Sequence, residues 1–196
     1  MWRDLTVLKV LIVAHPDDEI LWFNPSYFDR IYITFLGRND KPEMKDKRLK
    51  CIRCHPFKER ITLLSLCESG YWKDPKKCKE HHQVKTELTV ALQNIAKDTQ
   101  IKEVFTHNPS GEYGHSDHIL VHECIATIFS AQCDIWMPYK FILASKNYRP
   151  DVIQKRFMQI NINEFKLVRK IYQKFGAWTW DHYYQPNPIE LFYRGS

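Results

Sequence analysis

Long hydrophobic runs are missing from this sequence of 196 residues. A membrane-spanning helix needs about 20 consecutive apolar residues, whereas Ile31–Leu36 and Phe141–Ala144 are only as long as a strand. The first apolar run, Val7–Val13, contains Lys9 and is followed at once by polar residues, which is atypical of a secretory signal peptide. The sequence therefore predicts a soluble, cytoplasmic protein without a transmembrane segment.

Glycine is scarce, with 6 residues in the chain, and no segment has low complexity. Collagen-like, disordered and coiled-coil proteins are thereby excluded, because 44% hydrophobic and 27% charged residues are typical of a globular protein. A chain of this length can bury a core large enough to dispense with disulfides. We expect a single domain spanning residues 1–196.

The formal net charge of +6 is moderate, and it is spread over the chain apart from a denser basic stretch at Lys41–Arg60. No nucleic-acid-binding motif is present, so we expect no nucleic-acid partner. A small anionic substrate and an ordinary solvated surface are both compatible with this charge. Contact of the basic segment Lys41–Lys50 with anionic lipid headgroups is a further alternative.

The cysteines predict reduced thiols, since no export signal accompanies them. Cys51, Cys54 and His55 have the C-x-x-C-H spacing of a haem attachment site, but no other haem signal is present. The same residues could bind a second, structural zinc together with Cys67, Cys78 and His81 or His82, although their spacing matches no zinc finger. Cys124 and Cys133 are expected in the core.

Apolar patterns predict an α/β domain. The apolar runs Leu8–Ala14 and Arg30–Leu36 are typical of strands buried on both faces of a parallel sheet. Further strands are predicted at Glu103–His107, Asp134–Ala144 with an interruption at Pro138, Phe157–Ile162 and, as an edge strand, Ile189–Tyr193. Helices are predicted at Pro56–Cys67, around Val84–Ile95, after an N-cap at Ser116 and at Glu164–Phe175, with loops at Asn39–Lys50, Ser69–Glu80 and Asn108–His115.

Two segments concentrate histidine and aspartate where predicted strands end. AHPDDE occupies 14–19 after the first strand, and HNPSGEYGHSDH occupies 107–118 after a later one. Ligands bind at the carboxyl ends of the strands in such sheets. Two imidazoles and a carboxylate would leave zinc an open position for water, as in hydrolytic sites. Asp17, beside a candidate ligand but itself spare, is the candidate general base.

Taken singly, each of these residues could be a helix cap or an ordinary polar loop residue. Together, AHPDDE and GHSDH make the chain resemble the PIG-L/LmbE family of zinc-dependent N-acetyl-sugar deacetylases. The resemblance implies a Rossmann-like, three-layer domain whose mostly parallel sheet is flanked by helices. It also implies hydrolysis of an N-acetyl group from an amino sugar that is free or linked to a nucleotide, lipid or glycan.

The resemblance further implies the roles of individual residues. His15, Asp18 and His118 would be the metal ligands, with Asp17 as general base. His115 would protonate the leaving nitrogen, Asp117 would orient it, and Tyr113 would stabilise the oxyanion or help that protonation. Imidazole and carboxylate ligands also accept Fe(II) or Co(II), so other divalent ions remain alternatives to Zn²⁺.

The chain also departs from the family. After AHPDDE the sequence continues ILWFNPSYF without glycine, and Trp22 and Phe23 either narrow the sugar pocket or belong to the core. The arginine that holds the sugar in relatives has no clear counterpart, which leaves Arg48, Lys58 and Arg60 open. Aromatic residues near the C-terminus either wall a glycan site or pack in the core, which the residue type favours; they are Trp178, Trp180, Tyr183, Tyr184, Phe192 and Tyr193. His182 and Glu112 lie beside pocket segments without a distinct role.

Two other functions remain open on the sequence. A zinc amidase of the same fold could act on a non-sugar amide or a thiol conjugate, because pocket loops rather than the metal select the substrate. A metal-dependent binding module without catalysis is the other, although a degenerate module is expected to lose at least one of the five motif residues. Those residues are His15, Asp17, Asp18, His115 and His118.

Overall fold

The computed structural model describes residues 7–139 and 152–195. These residues form a seven-stranded sheet with helices against it. The strands are β1 (Leu8–Val13), β2 (Arg30–Arg38), β3 (Ile61–Glu68), β4 (Ile101–Phe105), β5 (Asp134–Pro138), β6 (Val152–Gln159) and β7 (Ile189–Gly195). The α-helices are α1 (Asp18–Leu21), α2 (Glu43–Arg53), α3 (Cys78–Ile95), α4 (Gly111–Gly114), α5 (Ser116–Phe129) and α6 (Ile162–Lys174), with 3₁₀ turns at Pro25–Tyr27 and Lys58–Arg60.

The strand order is β3-β2-β1-β4-β5-β7-β6. The first five strands of this order pair in parallel, and β7 and β6 continue the sheet antiparallel. The chain moves outward from β1 in one direction to β2 and β3, and in the other direction to β4 and β5. This reversal at β1 is where open α/β sheets bind their ligands. The prediction of a mostly parallel α/β fold is confirmed.

Strand β1 lies at the centre of the core. Val10 and Ile12 pack into one cluster together with residues of α3 and α5. Leu11 and Val13 face the opposite cluster, which contains aromatic residues of β4 and β7. Burial on both faces explains why β1 is continuously apolar rather than alternating.

Two element predictions between residues 39 and 67 are wrong. The segment predicted as the loop Asn39–Lys50 contains most of α2, which buries Met44, Arg48 and Cys51 at helical spacing. That spacing is obscured in the sequence because one buried member is an arginine and most of its neighbours are charged.

The segment predicted as the helix Pro56–Cys67 contains β3 instead. Ser65 adopts φ 59°, and the pairing of β3 with β2 shifts register around Phe35. This irregularity breaks the alternation of a regular strand, and the apolar residues therefore fall at a spacing that imitates a helix.

The remaining elements differ from prediction in smaller ways. The N-cap of α5 is His115 rather than Ser116, since the His115 side chain accepts a hydrogen bond from the Asp117 backbone N–H. Strand β7 lies between β5 and β6, so it is not at the edge.

Residues 140–144 of a predicted strand lie outside the described residues, and β6 ends at Gln159, before the predicted end at Ile162. Within the described ranges, the helices are all too short or too polar to cross a bilayer.

Candidate active site

The two motifs meet at the carboxyl end of the sheet, beside the reversal at β1. His15 and Asp18 follow β1, and His118 lies in the first turn of α5. Asp18 Oδ2 lies 3.2 Å from His15 Nδ1 and 3.4 Å from His118 Nε2, and the two nitrogens are 3.3 Å apart. The structure thus brings all three predicted ligands into one triangle, and all three residues are buried.

The triangle has the dimensions of one face of a zinc tetrahedron. Ligand atoms about 2.0–2.1 Å from a tetrahedral ion are separated by about 3.3–3.4 Å. Two nitrogens and one carboxylate oxygen are also the donor set of catalytic zinc sites, in which a fourth position stays open. The residues present therefore fit a catalytic metal ion.

Carboxylates hold the second nitrogen of each ligating imidazole. Glu112 Oε2 is 2.6 Å from His118 Nδ1, and Asp117 Oδ2 is 3.3 Å from His15 Nε2. Such contacts fix the orientation of metal-binding histidines and increase their basicity. Asp117 contacts both histidines, because its carboxylate lies against His15 and its backbone N–H donates to His115 Nδ1. That Asp117 orients His115 stays a prediction, and the contact that would do so is the backbone one.

Two further residues complete the cluster, namely Glu112, for which the sequence indicates no distinct role, and His107, which no spacing in the motif marks as a site residue. The Glu112 carboxylate also contacts His107 Nδ1 at 3.0 Å, and His107 stacks on His118 with ring centroids 3.8 Å apart. The backbone N–H of Ala14 donates to His107 Nε2, which leaves the His107 proton on Nδ1, facing Glu112. Glu112 has φ 58° and follows Gly111 at φ 62°. This backbone turn, which the glycine permits, directs the carboxylate toward the Nδ1 atoms of the two rings.

Asp17 adjoins the triangle in an unusual backbone conformation, with φ 99°. Its Oδ2 accepts hydrogen bonds from the backbone N–H of Thr179 at 3.2 Å and from the Thr179 hydroxyl at 2.8 Å. Burial and the neighbouring carboxylate of Asp18 raise the pKa of Asp17 to about 8. A general base works best when its pKa lies near the operating pH, so Asp17 suits that role.

His115 and Tyr113 border the same centre. The His115 ring is stacked between Trp72 and His118, with centroid distances of 4.8 and 4.7 Å. Because His115 Nδ1 accepts from the Asp117 backbone, its proton lies on Nε2. Burial, followed by the positive charges of His15 and His118, lowers the pKa of His115 to about 2, so the imidazole is neutral at rest. Tyr113 as a whole residue is 41% exposed. The pKa of its hydroxyl is nevertheless raised, first by partial burial and then by nearby carboxylates, of which Asp18 contributes most.

Carboxylates and imidazoles in the cluster shift one another's pKa values. Although burial opposes the change, the carboxylates of Glu68, Asp117 and Asp18 raise the pKa of His15 to about 9. Burial likewise opposes a lowered pKa for Asp18, but contact with His118 and other imidazoles holds it well below its ordinary range. A bound cation would replace the imidazole protons as the positive partner of these carboxylates.

A cavity of about 610 Å³ opens onto the centre. Of the three candidates for holding the substrate, Arg48 lines this cavity. Its Nη1 lies 2.8 Å from Glu68 Oε1 and donates to the Leu36 carbonyl. Arg60 instead donates to backbone carbonyls near the Pro25–Tyr27 turn, and Lys58 is absent from the lining.

The aromatic residues divide between the core and the cavity. Trp22 and Phe23 are 2% and 1% exposed, and Trp22 Nε1 donates to Asp18 Oδ1 at 3.3 Å, so Trp22 also supports a ligand. Phe192 and Tyr193 are buried, as core packing predicts. Other aromatic residues line the cavity, namely Trp72, Tyr113, Trp178 and Trp180.

The C-x-x-C-H segment lies at the C-terminal end of α2. Cys51 is buried and Cys54 is exposed, and all six cysteines are free. Among the described residues, none of the clusters with metal-binding geometry contains a cysteine. His55 is buried, with its Nε2 3.4 Å from Glu19 Oε1. The segment therefore packs behind the active site, and neither haem attachment nor a second zinc is supported.

Comparisons with known proteins place this geometry in context. No family model matches the sequence. The chain is 24% identical over 176 residues to an uncharacterized protein of Acanthamoeba polyphaga mimivirus, covering 84% of this chain and 75% of that protein. Its structure is similar to that of A40926 pseudoaglycone deacetylase Dbv21, with a TM-score of 0.63 and 9% identity over 96% of this chain and 97% of the other.

Two further solved structures give the same result. The zinc-inhibited form of teicoplanin deacetylase Orf2 matches this structure with a TM-score of 0.64 and 10% sequence identity. A deacetylase–teicoplanin complex matches it with a TM-score of 0.61 and 8% sequence identity. Each comparison covers 95% of this chain and 97% of the other. The chain therefore has the fold of these deacetylases, and the resemblance seen in the sequence is confirmed at the level of the fold.

Proposed function

We propose that this chain is a zinc-dependent hydrolase that removes the N-acetyl group from an amino sugar, releasing acetate and a free amine. One observation carries the proposal: the ligand atoms of His15, Asp18 and His118 form a triangle with sides of 3.2–3.4 Å. Asp17 stands beside this triangle with a pKa raised to about 8. The three solved structures with the same fold are deacetylases, which supports the reaction, and one of them is a zinc-inhibited form, which supports a metal site.

The residues of the site would move one proton and stabilise the charge that develops on the acyl group. Held by His15, Asp18 and His118, a Zn²⁺ ion would supply an activated water and would polarise the acyl oxygen. Asp17 takes the proton of that water, while the two donors from Thr179 hold its Oδ2 and leave Oδ1 for the water. A C–O bond forms between the water and the acyl carbon, the C–N bond then breaks, and the proton that Asp17 took from the water passes to the departing nitrogen. His115 is neutral at rest and its Nδ1 is occupied by the Asp117 N–H, so it donates a hydrogen bond from Nε2–H to the acyl group. This differs from the protonating role that the resemblance implies for His115. Tyr113 adds a hydroxyl at the cavity mouth for the oxyanion.

The cavity also fits a sugar. Arg48, Glu68 and Asp117 offer charged donors and acceptors for hydroxyl groups, and Trp72 and Trp180 offer apolar faces against which a pyranose ring can pack. The sequence leaves open whether the amino sugar is free or is linked to a nucleotide, a lipid or a glycan. One teicoplanin complex among the structures of the same fold supports a glycan-bearing substrate.

The test measures acetate release and metal content together. Purified wild type and His118→Ala are incubated with free, nucleotide-linked, lipid-linked and glycan-linked N-acetylhexosamines. We expect wild type to bind one metal ion per chain and to release acetate from at least one substrate class. His118→Ala should lose both properties.

Two results would contradict the proposal. Hydrolysis of a non-sugar amide alone would make the chain an amidase of another specificity. A bound metal without hydrolysis of any acyl amide would make it a binding module. Glu123→Gln serves as a control, because Glu123 is exposed on α5 and pairs with Lys85 away from the centre.

A further inference from the structure

Glu19 is a fully buried carboxylate that lies outside the metal triangle. Its Oε2 accepts a hydrogen bond from the backbone N–H of Asp17 at 2.8 Å. Its Oε1 accepts from the hydroxyl of Tyr172 at 2.8 Å, and His55 Nε2 lies 3.4 Å from the same oxygen. Burying a carboxylate destabilises the fold unless hydrogen-bond donors surround it. A buried glutamate at this position therefore indicates a role in the neighbouring site.

The two side chains that contact Glu19 come from distant parts of the chain, and Tyr172 is the one that donates a hydrogen bond. Tyr172 lies in α6, and His55 follows α2. His55 Nδ1 accepts from the Phe57 backbone N–H, so the imidazole proton is on Nε2, the nitrogen that faces Glu19. Both Glu19 oxygens are therefore occupied, and its position is fixed by elements that do not belong to the AHPDDE turn.

Asp17 needs such support because its backbone is left-handed, with φ 99°. A residue other than glycine adopts this conformation only where its surroundings impose it. Glu19 satisfies the Asp17 N–H in this conformation. The hydrogen bonds from Thr179 act on the Asp17 side chain, whereas Glu19 acts on its backbone.

We infer that Glu19 is a positioning residue that holds the general base Asp17 at the reacting water, with Tyr172 holding Glu19 in turn. The inference rests on the proposed function. A displacement of a catalytic group by about 1 Å can cost about 100-fold in rate. Loss of Glu19 should therefore reduce kcat more than it affects KM or metal binding.

The experiment compares Glu19→Ala with Glu19→Gln in the full-length protein loaded with Co²⁺. Glu19→Ala removes the acceptor for the Asp17 N–H, and we expect kcat to fall about 100-fold, with KM within about threefold of wild type. The visible Co²⁺ spectrum should not change, because the metal ligands remain. Glu19→Gln keeps an acceptor for Asp17 and should retain kcat within about fivefold, because its amide can also meet the Tyr172 oxygen.

A second variant covers the case in which Glu19→Ala does not fold. Tyr172→Phe removes the donor to Glu19 Oε1 without changing shape, and kcat should fall about 3–10-fold at unchanged KM. Tyr27→Phe is the matched control, because it removes a phenol hydroxyl that contacts Arg156 away from the site. Its kcat should equal that of wild type.

Several results would overturn the inference. These are wild-type kcat in Glu19→Ala or in Tyr172→Phe, a changed Co²⁺ spectrum in Glu19→Ala, or equal losses in the Ala and Gln variants. Hydrogen exchange of the Asp17 backbone amide measures its hydrogen bond to Glu19 directly. The exchange should be slow in wild type and faster in Glu19→Ala. Absence of acetate from wild type overturns the proposed function, whereas full activity in Glu19→Ala overturns only the positioning role.

Discussion

At the scale of single residues, the proposed mechanism assigns the largest rate effect to Asp17. A general base contributes about 10²–10⁴-fold to a rate, and Asn cannot accept the proton. We expect Asp17→Asn to lower kcat at least 100-fold while one metal ion per chain remains bound, as measured by steady-state kinetics and metal analysis. Asp29→Asn, which changes a carboxylate at a distant turn, is the control. Near-normal turnover in Asp17→Asn would remove Asp17 from its role.

Thr179 should tune the pH at which this base works. Its hydrogen bond lowers the pKa of Asp17 against the larger raising effect of burial. In Thr179→Val that pKa rises further, and because only the ionised carboxylate accepts a proton, the acidic limb of the kcat profile should move to higher pH. The pH dependence of kcat measures this shift. Thr127→Val, which removes a similar hydroxyl from an exposed turn of α5, should leave the profile unchanged; a downward shift in Thr179→Val would contradict the hydrogen-bond assignment.

The residues that sequence reasoning identified and those it missed differ in one physical respect. His15, Asp18 and His118 stand in two short motifs directly after strands, so the topology alone brings them together. Thr179 reaches Asp17 across 162 sequence positions, and no local pattern marks it. Glu112 is adjacent to Tyr113 in the motif, but its role depends on a left-handed backbone that residue types do not reveal.

At the scale of secondary-structure elements, the short turn α4 determines where Glu112 points. A Cβ atom on Gly111 would lie 2.8 Å from Ile119 Cγ1, whereas a Cβ on Gly114 would meet nothing within 4 Å. Both glycines have positive φ, so both alanine variants incur a backbone penalty of about 1 kcal/mol. Gly111→Ala should cost about 1–3 kcal/mol more, because overpacking adds to the strain.

Urea unfolding of the two glycine variants measures the difference directly. Gly114→Ala is the matched control, since it shares the strained φ but not the steric contact. Equal unfolding free energies would show that Ile119 yields without cost. Metal affinity should also fall in Gly111→Ala and not in Gly114→Ala, because only the first change disturbs the turn that brings Glu112 to His118 Nδ1.

The elements that were predicted correctly are those whose burial is regular. In α3, Val84, Leu88 and Leu92 are buried at helical spacing, and β1 is buried on both faces, so periodicity identifies both. In α2 the buried set includes an arginine that pairs with Glu68, which hydrophobicity cannot detect. The sequence of β3 does not predict a strand, because its irregular pairing with β2 interrupts the alternation of apolar and polar residues.

At the scale of the whole molecule, parallel strands with intervening helices predict the fold class but not the position of β7. Its placement between β5 and β6 depends on antiparallel pairing with both neighbours, which sequence order does not encode. The arrangement brings the segment after α6 back over the carboxyl end of the sheet, where Thr179 and Trp180 line the cavity. The candidate active site thus combines residues that follow the first strand with residues that follow the last helix.

Because the metal triangle joins β1 to α5, metal binding should stabilise the whole fold. A ligand at 100 times its Kd adds about 2.7 kcal/mol, and about 2–4 °C of Tm per kcal/mol for a chain of this size gives about 5–11 °C. We expect this rise in calorimetry of EDTA-treated wild type after zinc addition. His118→Ala should show none.

Glu112→Gln should show an intermediate rise in Tm at the same zinc concentration. Loss of a carboxylate behind a ligating histidine weakens metal binding about 10–100-fold, which leaves about 0.4–1.4 kcal/mol of stabilisation. Glu123→Gln, on the exposed side of α5, should reproduce the wild-type rise. A full rise in Glu112→Gln would show that its contact with His118 at 2.6 Å does not support the metal site, and a rise in His118→Ala would place the metal elsewhere.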